Sequence, residues 1–205
     1  MPKKTAAEAE ETRRHLLAVA RRLFAGRGYA AVGTEEIVRA ARVTRGALYH
    51  HYRDKEDLFV AVVEDVMRDN EAALRAVLAR HAATPARALL AAAAAFLDLS
   101  ERRDVQRVLF QDAPSVLGWR RWRALDAKYG LGLVRGALEA AMARGALARQ
   151  PVRPLAHLLL GALIEAALMI AHADDPARAR AEIEAPLARI VAGLRPARVR
   201  RGARP

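Results

Sequence analysis

Residues 34–59 read TEEIVRAARVTRGALYHHYRDKEDLF and contain the clearest structural signal of the chain. They predict two short helices joined by a tight turn, followed by the start of a third helix. Thr34 is a candidate N-cap of the first helix, and Thr44 is a candidate N-cap of the second, which should cover residues 45–51. Asp54 should cap the third helix. This arrangement is typical of a helix-turn-helix, whose second helix enters the major groove of DNA.

The side chains predicted for that second helix are of the types that read a DNA duplex. Arg45 lies at its N-terminal end, where a guanidinium can pair with guanine through two hydrogen bonds. Gly46 and Ala47 lack bulk, so the backbone can approach the groove, and Ala47 can touch a thymine methyl group. Hydroxyl and imidazole groups that can bind phosphates or bases come from Thr44, Tyr49, His50 and His51.

Two further residues are predicted to bind phosphates. Lys55 lies in the first turn of the third helix, where a positive side chain and free backbone N–H groups occur together. Thr34 can bind a phosphate through its hydroxyl while it caps its helix. Each residue alone could be an ordinary cap or surface charge, so the prediction depends on the whole set. Adjacent histidines do not face one point on a helix, so His50 and His51 predict no metal site.

These segments resemble the TetR family of one-component transcriptional regulators. The matching pieces are FAGRGYA at residues 24–30, TEEIVRAARVTRGALYHHY at 34–52 and RDKEDLF at 53–59, and the resemblance extends over about 9–62. It implies a three-helix DNA-binding domain whose short third helix enters the major groove. The positions it gives to that helix are Arg45, Gly46, Ala47, Tyr49, His50 and His51, and those it gives to phosphate contacts are Thr34 and Lys55.

The composition favours an all-α protein of about nine helices. Hydrophobic residues make up 53% of the 205 residues, many of them alanine, and aromatic residues only 5%. Alanine is the best helix former, and no convincing strand alternation is present. Beyond the N-terminal region, the sequence predicts helices over residues 5–26, 55–81, 85–99, 104–112 and 118–144, with two more after Pro151 and Asp175.

Three regions are expected. Residues 1–54 should form the DNA-binding domain, 55–195 a ligand-binding and dimerisation domain, and 196–205 a basic, disordered tail. The net charge of +12 favours a polyanionic partner. The absence of cysteine excludes disulfides and zinc fingers, and no cofactor is predicted. The N-terminus lacks the apolar segment of a signal peptide, so a cytoplasmic protein is expected.

The most apolar stretch, residues 155–173, is predicted to be a buried helix and not a membrane span, because it contains charge and much alanine. It is apolar on more than one face, and a single chain can cover only one of them. The last two helices, over about 155–194, are therefore predicted to form a homodimer interface, as in the TetR family. A dimer would present two reading helices to a palindromic DNA operator.

Aromatic residues concentrate in the middle of the second domain, where they could line a pocket for a small-molecule effector. Alternatively, they anchor a helix joint in a core that has few other aromatic residues. Glu165, in the apolar helix, would need a partner if its carboxylate is buried. It could pair with an arginine, bind a cationic ligand or lie at a solvent-exposed edge. The candidate pocket residues are Phe110, Asp112, Trp119, Trp122, Tyr129 and Glu165.

The function predicted from the sequence is a homodimeric repressor that leaves its operator when a small molecule binds. The main alternative is a helical small-molecule-binding protein or enzyme with an incidental helix-turn-helix. The sequence contains no glycine-rich phosphate loop, nucleophile elbow or HExxH motif, so an enzyme is not expected. A nucleoid-type protein that binds DNA by charge alone is a third possibility.

Overall fold

The computed structural model describes residues 5–196, and these residues are helical with no strand among them. The all-α prediction is therefore confirmed. Two π-helical segments, π1 (Val105–Asp112) and π2 (Ala127–Leu131), interrupt the α-helices. The α-helices are α1 (Ala6–Arg27), α2 (Thr34–Ala41), α3 (Arg45–His51), α4 (Lys55–Arg80), α5 (Pro85–Ser100), α6 (Ala113–Asp126), α7 (Gly132–Ala143), α8 (Val152–Ala171) and α9 (Pro176–Gly193).

The chain forms two compact units. Within the described residues, the first unit comprises 5–70 and 99–127, and the second comprises 71–98 and 128–196. The first unit therefore contains α1–α3, the front of α4, π1 and α6. This division follows packing, whereas the boundary predicted between residues 54 and 55 divides the chain by function and stays a prediction. The predicted basic tail lies, from residue 197 onwards, outside the described residues.

The helix starts show which predicted caps form. The Thr44 hydroxyl accepts a hydrogen bond from the backbone N–H of Ala47, at 3.1 Å, and so caps α3 as predicted. Asp54 accepts from the backbone N–H of Asp57 at 2.7 Å. The prediction for Thr34 was wrong, because Gly33 is the N-cap of α2 and Thr34 is its first helical residue. A side chain at that position cannot fold back onto the free N–H groups of the first turn.

Large apolar side chains from all four N-terminal helices meet in the core of the first unit. Phe24 of α1 packs edge-on against Phe59 of α4, with ring centroids 5.3 Å apart. Ile37 of α2 and Leu48 of α3 are also fully buried. Leu48 and Phe59 are thus core residues and are not available to DNA. Burial of one such side chain contributes about 1.5–3 kcal/mol, so these residues fix how α3 sits on its neighbours.

The single long helix predicted over residues 118–144 is wrong. Gly118 has φ +73° and ψ 157°, a backbone conformation that breaks α6 near its middle. Pro114 lies in the first turn of α6, where its missing N–H is not needed. After α6 the chain passes through π2 before α7 begins. Gly145, at φ +69°, follows the C-cap residue of α7 and ends that helix in the conformation that glycine favours.

The second unit has a core in which α7 packs against α8. Leu138, Ala141 and Met142 of α7 are buried together with Ala156 of α8. Buried residues recur along α8 at helical spacing, namely Ala156, Leu160, Ile164, Ala167 and Ile170. By length and composition α8 could also cross a membrane, with a mean hydropathy of 1.9 over its most apolar window. Core helices of soluble proteins share those properties.

Candidate nucleic-acid interface

Helix α3 lies on the surface and is held by one buried side chain. Leu48 is fully buried, whereas Arg45, Gly46, Tyr49 and His50 are exposed. The remaining predicted contacts on this helix, Ala47 and His51, are half-buried. A helix with a single anchored face presents its other faces to a partner, as a reading helix requires.

The turn between α2 and α3 has the geometry of a helix-turn-helix. Arg42 adopts the left-handed conformation, with φ +53°, and is the sole non-glycine residue with a positive φ within residues 5–196. Its N–H donates to the carbonyl of Arg39 at 3.2 Å, and the N–H of Val43 donates to that of Val38 at 3.0 Å. These two bonds end α2 and turn the chain, and Thr44 then starts α3 one residue later.

Arg45 has two partners within the free protein. Its Nη1 lies 2.9 Å from a carboxylate oxygen of Glu35 on α2, and its guanidinium carbon lies 5.5 Å from the centroid of the Tyr49 ring. Both charged side chains of the ion pair are exposed, so the pair contributes only about 0–1 kcal/mol. Arg45 can therefore exchange Glu35 for a DNA base at little cost.

Lys55 lies against an aromatic ring. Its Nζ is 4.0 Å from the centroid of the Tyr29 ring, and burial lowers the pKa of its ammonium group. Sequence reasoning did not identify Tyr29 as part of this site. The residue precedes Lys55 by more than twenty positions, and nothing in the sequence pairs the two. Thr34 is half-buried at the start of α2.

A surface groove runs between α1 and α3. Sequence reasoning missed two polar residues of this groove, Thr12 and Arg42, although Arg42 lies in the quoted stretch. The groove is lined by Ala9, Thr12, Arg42, Val43, Thr44, Ala47, His50 and His51.

The His50 and His51 rings are 5.0 Å apart and meet edge to face, and no cluster of metal-ligating residues occurs within residues 5–196.

The predicted effector residues divide between the two units. Phe110, Asp112, Trp119 and Trp122 lie in the first unit, whereas Tyr129 and Glu165 lie in the second. Glu165 is exposed, which agrees with the solvent-exposed edge that the sequence left open and not with a buried carboxylate. It lies on the side of α8 that the core of the second unit leaves uncovered.

The two tryptophans are neighbours in α6. Their ring centroids are 5.2 Å apart, and the indole N–H of the buried Trp122 donates to the carbonyl of Leu109 at 3.1 Å. Trp119 is 66% exposed, and the Arg123 guanidinium lies 5.5 Å from its ring. The two rings lie side by side, and Trp122 fits the alternative of an anchored helix joint. Whether the pair lines an effector site stays a prediction.

Two family models match the chain. Residues 16–62 match the model described as bacterial regulatory proteins, tetR family. Residues 86–194 match the model described as tetracyclin repressor-like, C-terminal domain. The first match contains α2, α3 and the start of α4, and the second contains most of the helices that follow.

Curated proteins and solved structures agree with these matches. The HTH-type transcriptional repressor Rv1474c of Mycobacterium tuberculosis is 30% identical over 185 residues, which is 90% of this chain and 95% of that protein. The HTH-type transcriptional regulator AcrR of Shigella flexneri is 52% identical over 64 residues, a match that spans only 30% of that protein. A crystal structure of a TetR-family regulator from Pectobacterium atrosepticum has a TM-score of 0.80 and 33% identity, covering 93% of this chain and 97% of that one.

The exposed helix-turn-helix defines a DNA-binding transcriptional regulator. The chain belongs to the TetR family.

Proposed function

We propose that the protein is a homodimeric repressor that binds a palindromic operator and is released by a small-molecule effector. The observation that carries this proposal is α3, a short helix in which Leu48 is the one fully buried side chain and Arg45 lies at the exposed N-terminal end. Repression follows the name of the relative that matches along nearly the whole chain.

In the proposed complex, α3 reads bases and its surroundings bind phosphates. Arg45 pairs with guanine. Gly46 and Ala47 carry no bulky side chain, so the helix can approach the base edges closely. Lys55 binds a phosphate beside the first turn of α4, where free backbone N–H groups can donate hydrogen bonds to the same phosphate. The other proposed contacts are Thr34, Thr44, Tyr49, His50 and His51.

The proposed dimer forms through α8 and α9, which together correspond to the interface predicted over about 155–194. Three large apolar side chains on these helices are exposed: Leu158 by 71%, Met169 by 55% and Ile190 by 46%. The core of the second unit covers the opposite side of α8, and on α9 it buries only Val191. A second copy would cover these residues and place two α3 helices roughly 34 Å apart, one turn of DNA.

The proposed effector binds beside the aromatic residues of π1 and α6. Trp119 and Trp122 would report its binding, because both rings lie close together and one is exposed. Helix α4 has residues in both compact units, so a shift of this helix could alter the spacing of the reading helices. A ligand that lowers operator affinity without changing tryptophan fluorescence would count against this location.

A binding titration tests the proposal. Protection footprinting on DNA flanking the gene would supply a candidate operator. Affinity for that duplex is then compared with affinity for a shuffled duplex of the same composition at one salt concentration. A specific repressor should prefer the palindrome by roughly 10³-fold or more. A steep salt dependence without that preference would show binding by charge alone and would refute the proposal.

A further inference from the structure

The chain turns sharply after α1 at two residues, Gly28 and Tyr29, which we call the 28–29 corner. Gly28 has φ +82°, a conformation that side chains other than glycine rarely adopt. A Cβ atom at this position would lie 2.1 Å from Nη2 of Arg107, a residue of π1. The glycine therefore leaves the space that the Arg107 guanidinium occupies.

Residues 103–112 hold this corner through several polar contacts. The backbone N–H of Tyr29 donates to Oδ2 of Asp112 at 2.7 Å. Nη2 of Arg107 donates to the carbonyl of Arg27 at 3.4 Å, and its Nε lies 3.5 Å from the same Asp112 oxygen. Nη2 of Arg103 donates to the carbonyl of Gly26 at 3.2 Å. Free carbonyls at the C-terminal end of α1 thus meet two positive charges, which also suit the helix dipole.

The Tyr29 ring connects this corner to Lys55. It packs against Phe24 and Phe59, at centroid distances of 5.8 and 4.8 Å. The Lys55 Nζ lies 4.0 Å from the same ring. Since Asp112 fixes the backbone of Tyr29 and the two phenylalanines fix its ring, the position of the Lys55 ammonium group depends on contacts made by π1.

We infer that Asp112 and Arg107 are positioning residues for DNA binding: they fix the 28–29 corner so that the Tyr29 ring holds Lys55 against a DNA phosphate. The inference rests on the phosphate contact proposed for Lys55. It assigns to Asp112 a structural task in the DNA-binding unit, which differs from lining an effector pocket. Arg107, Asp112, Tyr29 and Lys55 all belong to the first compact unit.

A double-mutant cycle between Asp112 and Lys55 tests the inference. Lys55→Gln should weaken binding to every duplex and lower the salt slope by about 1. Asp112→Ala should weaken binding about threefold to tenfold and move the slope towards that of Lys55→Gln. In the Lys55→Gln background, Asp112→Ala should change affinity less than about twofold, because the contact that it positions is already lost.

Matched variants separate positioning from a loss of folding. Asp112→Asn keeps an oxygen that can accept from the Tyr29 N–H and should retain the original affinity and slope. Ser115→Ala removes a hydroxyl that donates to the Asp112 carbonyl at 2.9 Å and should change neither. Tyr29→Leu removes the ring under Lys55, leaves the backbone N–H in place, and should be non-additive with Lys55→Gln.

Equal losses for Asp112→Ala in the two backgrounds, with an unchanged salt slope, would overturn the inference. A loss in Asp112→Asn as large as that in Asp112→Ala would do the same. The cycle is measured on a shuffled duplex as well as on the operator. Phosphate contacts act on both, so the result stands even if the original protein shows no preference for a palindrome.

Discussion

At the scale of single residues, Leu48 and Arg45 illustrate how α3 combines packing with exposure. Leu48 is fully buried and fixes the helix on the first unit, while Arg45, three positions earlier, points to solvent and pairs with Glu35. The buried position determines the orientation of the exposed ones, because residues of one short helix rotate together. Substitutions at exposed positions should therefore change DNA binding without unfolding the protein.

Replacement of Arg45 and of Lys55 should separate base reading from phosphate binding. Arg45→Ala should cost about 1–3 kcal/mol of binding free energy and relax base preference at one position of each half-site. Lys55→Ala should weaken binding to all sequences alike and reduce the salt slope by about 1. Affinities for the operator, a set of single-base variants and a shuffled duplex measure both effects. Equal losses for the two variants on every duplex would contradict the assigned roles.

Local residues of this site could be predicted from the sequence, and distant ones could not. Thr44 and Arg45 follow from cap chemistry and from position in a short helix, which depend on near neighbours. The Thr34 cap was wrong because the choice between Gly33 and Thr34 depends on how the preceding loop enters α2. The contact of Asp112 with Tyr29 spans 83 residues, so only the folded chain brings these groups together.

At the scale of helices, one arginine joins three elements of the first unit. Arg21 of α1 donates to Asp65 and Asp69 of α4, at 2.8 and 2.5 Å, and to Asp104 at the start of π1, at 2.6 Å. Burial opposes the ionisation of Asp104, but hydrogen bonds from Arg21 and Arg102 outweigh it and lower the pKa of that carboxyl group. These contacts link α4 and π1 to α1.

Arg21→Met should destabilise the protein by roughly 1–3 kcal/mol, since it leaves three carboxylates near one another without their cation. A carboxylate whose pKa is lowered by folding stabilises the protein above its unfolded-state pKa of about 3.9, and that stability is lost as the pH falls. The difference between variant and original protein should therefore persist down to about pH 4 and shrink as the pH falls below that value. Urea unfolding at several pH values measures this difference in the free energy of unfolding. A difference that does not depend on pH would contradict the role given to the Arg21 ion pairs.

The break in α6 illustrates what helix prediction misses. Alanine content and capping residues predict where most helices lie. They placed Gly118 at the start of a long helix, whereas it breaks α6 from within. The π-helical segments on either side of α6 depend on tertiary packing as well as on local propensity. Neither alanine content nor capping residues distinguish such segments from α-helix.

Gly118→Ala should destabilise the protein by about 1–3 kcal/mol, because its backbone conformation belongs almost only to glycine. Space is not the reason, since nothing lies within 4 Å of a Cβ atom at that position. Gly136→Ala is the matched control: its site is equally open, and α7 is helical there. That variant should gain about 0.5–1 kcal/mol. Equal effects of the two variants in thermal unfolding would contradict the role of Gly118.

At the scale of the whole molecule, the exposed apolar residues of α8 and α9 are the ones proposed to join two copies of the protein. A single α3 makes few base contacts, so useful specificity requires a second copy at a fixed distance. The exposed side chains of Leu158, Met169 and Ile190 form the surface proposed to bring the copies together. Sequence reasoning placed this surface on the last two helices because α8 is apolar on more than one face.

Leu158→Lys should convert the proposed dimer to monomers and lower operator affinity, since a charge cannot be buried unpaired in an apolar interface. Because Leu158 is exposed in the single chain, the substitution should leave the fold intact. Ala73→Lys adds the same charge at an exposed position of α4 and should leave the mass in solution unchanged. Sedimentation velocity, together with circular dichroism, measures both. A Leu158→Lys variant that remains dimeric would contradict the interface.

The central claim is that two α3 helices of one dimer read the two halves of one operator. The most direct measurement compares the operator with a copy in which about 5 base pairs, half a helical turn, separate the half-sites. We predict a dimer on the original duplex and a loss of affinity of at least roughly tenfold on the altered one, because the second half-site then faces away. Equal affinity and stoichiometry on both duplexes would contradict the claim.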